Sequence, residues 1–524
     1  MDRDARCSQS EAKAAAVRRA RSGRSSRQTV WVMGDQLNRS IASLRGARPS
    51  TTVVLMIRSR HKISSRPWHR QRLHAVLTAM ARFGEELRAE GFEVDLREAA
   101  TFAEGLAGHR RDYSPRAVKM MAPESIGAQS LARAAGVELV DSNMFLTSKE
   151  EFIAWAGGRA DGRGRLKMED FYRWQRRRLG VLMEGDKPLG GTWNFDHDNR
   201  LPPPRHAMSW PEVPTEDLDQ LDEQVGASLP PGCVGEPPKG WWPTSRQGAL
   251  RRLAAFVERG LELFGPYEDA MLADQPRMAH SMLSQALNLG LLHPQEVVEA
   301  IESAYRSGRV SLSSAEGMIR QVMGWREYVR GVYWLWGSSY RNLNALDAHR
   351  MLPPALTQGA TSMRCVQVTV RDVLRNGWVH HIQRLMVLSN LCTLAGVDPE
   401  AVLAWMWENF VDAAEWVMVP NVLGMGLHAD GGRMATKPYV SGGAYINRMS
   451  DYCRSCRYDP KRRVGDDACP FTTLYWAFLD RHRDVFVDNV RMARQVRSLG
   501  RLEDLAGVRA RAEEVLVRLD EGSL

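Results

Sequence analysis

Four cysteines in the last third of the chain constrain its fold more than any other feature. Cys453 and Cys456 form a C-x-x-C pair, Cys469 follows after twelve residues, and Cys365 lies far upstream. This spacing predicts a tetrahedral four-cysteine site for zinc or an iron–sulfur cluster. Zinc sites are the commoner kind, whereas the step from Cys469 to Pro470 is typical of bacterial cluster motifs. The alternative is a set of free core thiols, as in a reduced cytosolic protein.

Length and composition exclude several classes of protein. A chain of 524 residues is too long for one hydrophobic core, so we expect at least two domains. The sequence shows no signal peptide and no apolar run of the length that a membrane span needs. Seven cysteines in so long a chain do not form a disulfide framework. These features predict a cytoplasmic protein without a membrane partner, and we expect a monomer.

The net charge of +9 permits a phosphate-binding face but does not prove one. Sixteen tryptophans are a high count for the length. Tryptophan and arginine surfaces suit flavin rings and unstacked bases, although tryptophan also simply fills helical cores.

The first part of the chain alternates between strand-like and helix-like segments. Residues 1–28 form a predicted disordered basic tail, and residues 29–156 form a predicted α/β domain of the antenna type. Its apolar runs predict a parallel, five-stranded, Rossmann-like sheet. They lie at 29–33, 52–57, 92–96, 117–121 and 137–140. Gly34, Asp35 and Gln36 follow the first strand, at the strand end where such sheets bind ligands.

The rest of the chain is predicted to be helical after a linker. Residues 157–246 are assigned to an interdomain linker, 247–500 to a large all-α domain and 501–524 to a C-terminal helix. Basic residues in 171–178 predict a helix that is either a phosphate track or a solvated face. Further amphipathic helices are predicted at 294–308, 315–336, 366–394 and 399–409. We find no Walker loop, Gly-x-Ser-x-Gly or His-Glu-x-x-His motif, which excludes common NTPases, hydrolases and zinc proteases.

Long ordered strings between residues 29 and 500 resemble the photolyase/cryptochrome family, in its iron–sulfur branch of bacterial (6-4) photolyases. In the helical part the matching strings are His380-His381-Ile-Gln-Arg384-Leu-Met386, Trp416-x-x-x-Pro420-Asn421-Val-x-Gly424-Met425, Lys437-Pro438-Tyr439 and Tyr445-Ile-Asn447-Arg-Met-Ser-Asp451-Tyr-Cys453. Earlier strings are Gly34-Asp35-Gln36-Leu37, Gly190-Gly191-x-Trp193-Asn194-Phe195-Asp196, His280-Ser281-x-Leu283-Ser284 and Gly324-Trp325-Arg326-Glu327-Tyr328.

The resemblance implies two resident cofactors. It implies FAD in the helical domain and a [4Fe-4S] cluster on Cys365, Cys453, Cys456 and Cys469. The implied pyrophosphate-binding residues are His280, Ser281 and Ser284. The implied residues around the ring are Gln321, Trp325, Arg326, an ion pair of Arg384 with Asp412, and Asn421 near the reactive nitrogen.

The resemblance also implies the catalytic residues. His381 is expected to donate a proton to the lesion, and Tyr439 is expected to line the lesion pocket. His380 and His381 are predicted to be neighbours on one helix, where adjacent side chains point about 100° apart. We therefore expect only His381 to reach the lesion, and we do not expect the two histidines to face one metal ion.

The electron relay departs from the pattern of the resembled family. Trp405 keeps one relay position, but Met406 follows it. The position of the usual tryptophan before the first cluster cysteine is Thr357. We expect photoreduction to be slow, or to run through Trp378 or Trp407.

A ribityllumazine antenna is expected to bind weakly or to be absent. Gly34, Asp35 and Gln36 match the antenna loop of the resembled family. After the second strand, however, Ile57-Arg58-Ser59-Arg60 stands where that family carries glutamates. The basic residues remove expected hydrogen-bond acceptors.

The function implied by the resemblance is light-dependent DNA repair. Excited reduced FAD would pass an electron to a flipped-out (6-4) photoproduct in damaged duplex DNA. Two alternatives remain open, namely a blue-light photoreceptor with little repair, and an iron–sulfur DNA-binding protein without catalysis. A flavin separates the last from the others, and a repair assay separates the first two.

Overall fold

The computed structural model describes residues 27–157 and 166–524. Residues 1–26 of the predicted tail and residues 158–165 of the predicted linker lie outside the described part of the chain. The first described strand begins at Gln28, one residue before the predicted boundary.

A five-stranded parallel sheet forms the N-terminal part, as predicted. Its strands are β1 (Gln28–Trp31), β2 (Thr52–Ser59), β3 (Glu93–Ala99), β4 (Val118–Met121) and β5 (Glu138–Val140). They lie in the order β3-β2-β1-β4-β5, and every neighbouring pair is parallel. The direction of winding reverses between β1 and β4. In open α/β sheets a crevice for ligands opens there, beyond the carboxyl ends of the strands.

Helices cover both faces of this sheet. They span Arg60–Ile63, Arg70–Ala89, Phe102–Tyr113, Ile126–Ala134 and Lys149–Ala156. The longest of them buries the predicted apolar stripe, from Leu73 through Met80 to Leu87. Gly91 then turns the chain in a left-handed conformation, with φ of +91°, into β3.

The two faces of the sheet belong to different cores. Trp31, Leu55 and Val118 pack on one face, in a small core confined to the α/β part. Val30 and Val54 face the other way, into a core that continues into the helical part. Because side chains alternate along a strand, one sheet serves both cores. The domain boundaries given above stay a prediction.

Residues 166–246, which belong to the predicted linker, contain regular secondary structure. They include the helices Met168–Leu179 and Gln220–Ala227 and a short hairpin of β6 (Met183–Glu184) and β7 (Lys187–Pro188). The basic helix does not present a continuous charged face. Arg176 is fully buried and donates to the carbonyls of Leu182 and Trp193.

The rest of the chain is helical, and no strand lies in its described residues. The α-helices span Arg246–Ala255, Leu261–Tyr267, Ser284–Asn288, Pro294–Arg306, Leu312–Ile319, Glu327–Trp336, Pro354–Thr357, Arg364–Asn376, Asn390–Ala395, Pro399–Asn409, Glu415–Val419, Gly443–Met449, Pro470–Arg481, Arg483–Phe486, Ala493–Ser498 and Leu505–Glu521. Segments of π-helix span Phe256–Gly260, Arg320–Arg326, Gln383–Ser389 and Pro420–Gly426. Single π-helical turns occur mostly at functional sites.

The prediction of one continuous helix over 366–394 is wrong. Gly377 ends the helix Arg364–Asn376 in a left-handed conformation, with φ of +65°. Its carbonyl accepts a hydrogen bond from the Val411 amide. The chain is irregular as far as His380 and resumes a helix at His381.

No helix within 27–157 or 166–524 has both the length and the apolarity to cross a membrane.

Candidate functional site

Four cysteines from three segments line one small hollow. Cys365, Cys453, Cys456 and Cys469 face it, beside the apolar side chains of Met363, Ile446 and Phe471. The hollow measures about 310 Å³, its open mouth included. All four cysteines are free of disulfide bonds. The structure thus brings together the four residues that the sequence predicts as metal ligands.

Local structure explains how the four thiols meet. Cys365 is the second residue of the helix Arg364–Asn376, and Cys469 caps the helix that begins at Pro470. Both helix starts carry partial positive charge, which favours thiolates. The amide of Cys469 donates to the Asp459 carbonyl, which closes the loop after Cys456.

Gly443 is a close neighbour of the hollow. A Cβ atom added there would lie 2.8 Å from the Cys469 sulfur. A larger residue would therefore push into the space between the thiols.

Burial makes three of the four thiols poor thiolates. It raises the pKa of Cys453 to about 12 and the pKa of Cys469 to about 11, with the neighbouring cysteines adding to both shifts. The pKa of Cys365 also lies well above its usual range, for the same two reasons. A cation in the hollow reverses this effect, since a coordinated thiol loses its proton outright.

A second cluster joins three histidines, His280, His380 and His381. The rings of His280 and His380 stack, with centroids 4.2 Å apart and planes 20° apart. The His381 ring lies 5.6 Å from His280. Ring nitrogens from all three lie within 4.8 Å of one another. The expectation that His380 and His381 point apart on one helix is wrong, because His380 precedes the helix that His381 begins.

Two of the three imidazoles are held neutral. Burial, together with the charge of His381, lowers the pKa of His280 to about 3. Burial also places the pKa of His380 well below its usual range. Each ring nitrogen of His280 faces a backbone carbonyl, at 3.0 Å from Arg277 and 3.2 Å from Glu268. A neutral imidazole carries one N–H, so His280 donates to only one of these two carbonyls.

His381 differs from its two neighbours because it is exposed and has an acidic partner. Its side chain is 44% exposed, and its Nε2 lies 3.5 Å from Asp269 Oδ1. Sequence reasoning missed Asp269, since no motif connects it with His381. The only signal was its place in the loop shortly before the His280 string.

Buried acids and bases continue behind the histidine cluster. The Glu268 side chain is buried, which raises its pKa to about 8. Arg320 counters this shift and also reaches Asp196 and Glu316. Glu268 is another residue that sequence reasoning missed.

Tyr439 lies in a rim of cationic and phenolic groups near the histidine cluster. Burial raises its pKa, while the charges of Arg491 and Arg200 act against that shift. The charge of Arg200 also reaches Tyr445, as does that of Asp269.

The predicted ion pair of Arg384 with Asp412 is present. Nη1 and Nη2 of Arg384 donate to the two carboxylate oxygens, each at 3.0 Å. The Ser284 hydroxyl donates to Asp412 at 2.7 Å, and the Asn288 amide donates to its carbonyl at 2.8 Å. Ser284 therefore contacts this ion pair. Of the other two residues assigned to the pyrophosphate, His280 faces carbonyls and Ser281 accepts from the Leu283 amide.

Trp405 is connected to that ion pair through one aromatic ring. Its ring lies 6.4 Å from Phe410, edge to face, and the Arg384 guanidinium lies 4.1 Å over Phe410. Trp405 is buried, as a relay residue close to a cofactor has to be.

Three π-helical segments carry most of the predicted ring-binding residues. Gln321 and Trp325 lie in Arg320–Arg326, Arg384 lies in Gln383–Ser389, and Asn421 lies in Pro420–Gly426. The last two segments pack against each other. The Asn421 amide donates to the Val417 carbonyl at 2.8 Å, which leaves its oxygen available.

A third site, the sheet-edge cavity, lies where the winding of the sheet reverses. It measures about 300 Å³ and is lined by Asp35, Gln36, Met121, Glu124, Ser142, Met144, Phe145, Leu287, Asn288, Arg326 and Trp416. Arg326, which was assigned to the flavin, thus lies here, against the rings of Phe145 and Trp416. Gln36 bridges the ends of β1 and β4, since it bonds the Met33 amide and the Met121 carbonyl. Gly34 precedes this lining and packs against Met80.

Two carboxylates supply the acceptors of the sheet-edge cavity. Burial raises the pKa of Asp35 to about 6. Burial opposes ionisation of Glu124 too, but Arg330 and Trp334 outweigh it and lower the pKa. Sequence reasoning missed Glu124.

Arg58 and Arg60, at the end of β2, do not line this cavity. Arg58 donates to the Leu77 carbonyl, and Arg60 pairs with Glu98. Lys62 in the same basic segment does act on the cavity, since its charge favours the ionised form of Asp35. The expected weak antenna binding stays a prediction.

Comparison with known proteins defines the class of this chain. Residues 30–230 match the family described as "Deoxyribodipyrimidine photo-lyase-related protein". The crystal structure of a bacterial class III photolyase from Agrobacterium tumefaciens superposes with a TM-score of 0.57 at 16% identity. The match covers 95% of this chain and 98% of that one, so the two share a fold.

A relative identifies the family. The protein named "(6-4) photolyase" from Agrobacterium fabrum is 40% identical over 513 residues, which cover 94% of this chain and all of the relative. An uncharacterized protein, R855, of Acanthamoeba polyphaga mimivirus is 34% identical over 101 residues, 19% of this chain and 75% of that protein. The chain belongs to the photolyase family.

Proposed function

We propose that this protein repairs the (6-4) pyrimidine–pyrimidone photoproduct in DNA under blue light. The observation that carries the proposal is the histidine cluster, in which one exposed imidazole with an acidic partner stands beside two buried neutral ones. The 40% identity to a protein named (6-4) photolyase supports the lesion type.

His381 is the proton donor of the proposed reaction. A general acid works best when its pKa lies near the working pH, and histidine meets that condition. His280 and His380 stay neutral because burial depresses the pKa of both. Asp269 orients the His381 ring and supplies the counter-ion of an imidazolium. Of the three histidines, only His381 is thus exposed to an entering base.

The residues around the Arg384–Asp412 ion pair fit FAD, which when bound supplies the light-driven electron. Arg384, Asp412, Ser284 and Asn421 would hold it, together with Gln321 and Trp325. Support comes from the three π-helical segments that carry these residues and from the bidentate ion pair between them. The Trp405 ring packs against Phe410, and the Arg384 guanidinium of the ion pair lies over the Phe410 ring.

The cysteine hollow fits a [4Fe-4S] cluster held by Cys365, Cys453, Cys456 and Cys469. Zinc also binds four thiolates, so the ligand set alone fits either group. The step from Cys469 to Pro470, directly after a thiol that lines the hollow, is typical of bacterial iron–sulfur motifs and supports the cluster. The bare backbone of Gly443 keeps that space open.

The partner of the proposed reaction is damaged duplex DNA, with the lesion extruded towards His381 and Tyr439. Lys437, Arg200 and Arg491 give this rim a positive charge, which suits phosphates. We place the protein in the cytoplasm as a monomer, with any antenna chromophore in the sheet-edge cavity.

The test is a repair assay on an oligonucleotide with one (6-4) photoproduct. Blue light should restore the two pyrimidines, whereas the dark control and a cyclobutane dimer in the same sequence should stay unchanged. A protein that contains flavin but repairs neither lesion would overturn the proposal in favour of a photoreceptor. A protein without flavin would favour DNA binding without catalysis.

A further inference from the structure

The segment 482–494 contains an unusual concentration of exposed apolar side chains. Val485, Val487 and Val490 are 57%, 44% and 95% exposed. They are three of the eleven large apolar side chains that are exposed among the described residues, and Val490 is the most exposed of all. Single exposed apolar residues are ordinary, but three within six positions are not.

Val490 is not required for the local turn. The turn is closed by Asn489, whose side-chain oxygen accepts from the Arg491 amide at 3.0 Å. Buried Phe486 and Met492 anchor the chain on either side. Turn positions favour glycine, asparagine and aspartate over a β-branched residue. The valine therefore serves neither the core nor the turn.

The turn is tied to the rim of the candidate lesion pocket. The Asn489 amide also donates to the Thr436 carbonyl at 3.1 Å, next to Lys437. Burial lowers the pKa of Lys437, and the charge of Arg491 lowers it further. The same guanidinium acts on Tyr439. The position of Val490 is thus set by the loop that carries Tyr439.

The charges around Val490 fit a nucleic acid. The charges of Arg491 and Arg200 act on Lys437 and on Tyr439, and Arg200 also pairs with Asp196. Arg491 and Arg494 are exposed, and neither side chain has an ion-pair partner within the described ranges. Asp484 and Asp488 lie in the same segment and oppose this charge. An apolar tip flanked by free cations is how proteins enter a base stack while they hold its phosphates.

We propose that Val490 enters the duplex beside the extruded lesion and fills the space that the lesion leaves. Arg491 then contacts the adjacent phosphate. The proposal rests on the proposed function and adds to it the element that keeps the lesion out of the stack. Asn489 is a positioning residue, because it holds the tip against the Tyr439 loop.

The experiment compares Val490→Ser with Val517→Ser, a matched control on the C-terminal helix with 55% exposure. Both variants are measured with a lesion in duplex DNA and with the same lesion in a single strand, which needs no extrusion. Removing an apolar contact of this size should weaken duplex binding about tenfold in Val490→Ser. Repair of the single-stranded lesion by Val490→Ser should match that of the wild type. Val490→Leu should bind the duplex as the wild type does.

Three outcomes would overturn the inference. One is duplex binding by Val490→Ser that equals the wild type. Another is an equal loss on duplex and single strand, which means general damage to the site. The third is a change of oligomeric state in Val490→Ser with DNA binding unchanged, which assigns the valines to a protein interface. Failure of the proposed function looks different, because the wild type then repairs neither substrate.

Discussion

The cysteine cluster and the histidine cluster lie in the same helical part of the chain, yet burial acts on them in opposite directions. Burial raises the pKa of the thiols, so Cys365, Cys453 and Cys469 are protonated without a cation between them. Burial lowers the pKa of His280 and His380, so both are neutral as they stand. In each case a low dielectric disfavours the charged form.

The difference shows what each cluster needs. The cysteines would need a metal centre to hold them as thiolates. The neutral histidines need no such charge, since His280 and His380 stack and His280 donates to one of the carbonyls of Arg277 and Glu268. We therefore expect mutations in the first cluster to affect folding and mutations in the second to affect reactivity.

The largest effect is expected for Cys456→Ser. Metal binding contributes directly to folding, with structural metal sites worth on the order of 10 kcal/mol, so the variant should be largely insoluble. The matched control is Cys233→Ser, at a half-buried cysteine outside the hollow. Soluble yield, iron and acid-labile sulfide are measured on anaerobically purified protein. One zinc per chain without iron would refute the iron–sulfur assignment.

The next effect concerns His381→Ala compared with His380→Ala. General acid catalysis typically contributes about 10²–10⁴-fold, so His381→Ala should lower light-dependent repair by that factor. His380→Ala should lower repair less, because the His380 ring is buried and does not face an entering base. Both variants are assayed on a (6-4) oligonucleotide at matched flavin content. Normal repair by His381→Ala would contradict the assignment of His381 as the proton donor. Equal losses of repair in both variants would mean that the histidines of the cluster act together.

A smaller effect is expected on stability in acid. The pKa of His280 is depressed from 6.5 to about 3, so the unfolded chain takes up the proton first as the pH falls. Stability is therefore complete above pH 6.5 and is lost progressively below it, by about 2 kcal/mol at pH 5. The His280→Gln variant should lose less free energy of unfolding between pH 6.5 and pH 5. The free energy of unfolding is measured by denaturant titration at both pH values, and parallel curves for the two proteins would contradict the assignment.

The smallest effect is expected in the sheet-edge cavity. Bound lumazine should be well below one per chain in the wild type. Asp35→Asn should lower the affinity for the bound chromophore by about tenfold, since a hydrogen bond to a charged acceptor is worth about 1–3 kcal/mol. With its pKa at about 6, Asp35 in the wild type should lose the same affinity as the pH falls below 6. Chromophore content is measured in protein purified at pH 5 and pH 8. Stoichiometric lumazine would show that Asp35 and Glu124 replace the missing glutamates.

Features encoded over short stretches were predictable from the sequence. The C-x-x-C pair places two ligands in one turn, and the apolar runs alternate with helical stripes that dictate a parallel sheet. The pairing of Arg384 with Asp412 was also foreseen, although through the family resemblance rather than from spacing. These predictions succeed because each depends on neighbouring residues or on a long matching string.

Only the tertiary structure decided the rest. Gly377 ends a helix that the apolar pattern continues, in a left-handed cap closed by its own amide on the Val373 carbonyl, and the distant Val411 amide then binds the Gly377 carbonyl. That break brings His380 back onto His280 and leaves His381 exposed beside Asp269. No local periodicity encodes such contacts, since they depend on which buried surfaces meet. The sequence by itself determined the sheet and singled out the four cysteines, whereas long-range packing decided which histidine is exposed beside an acid.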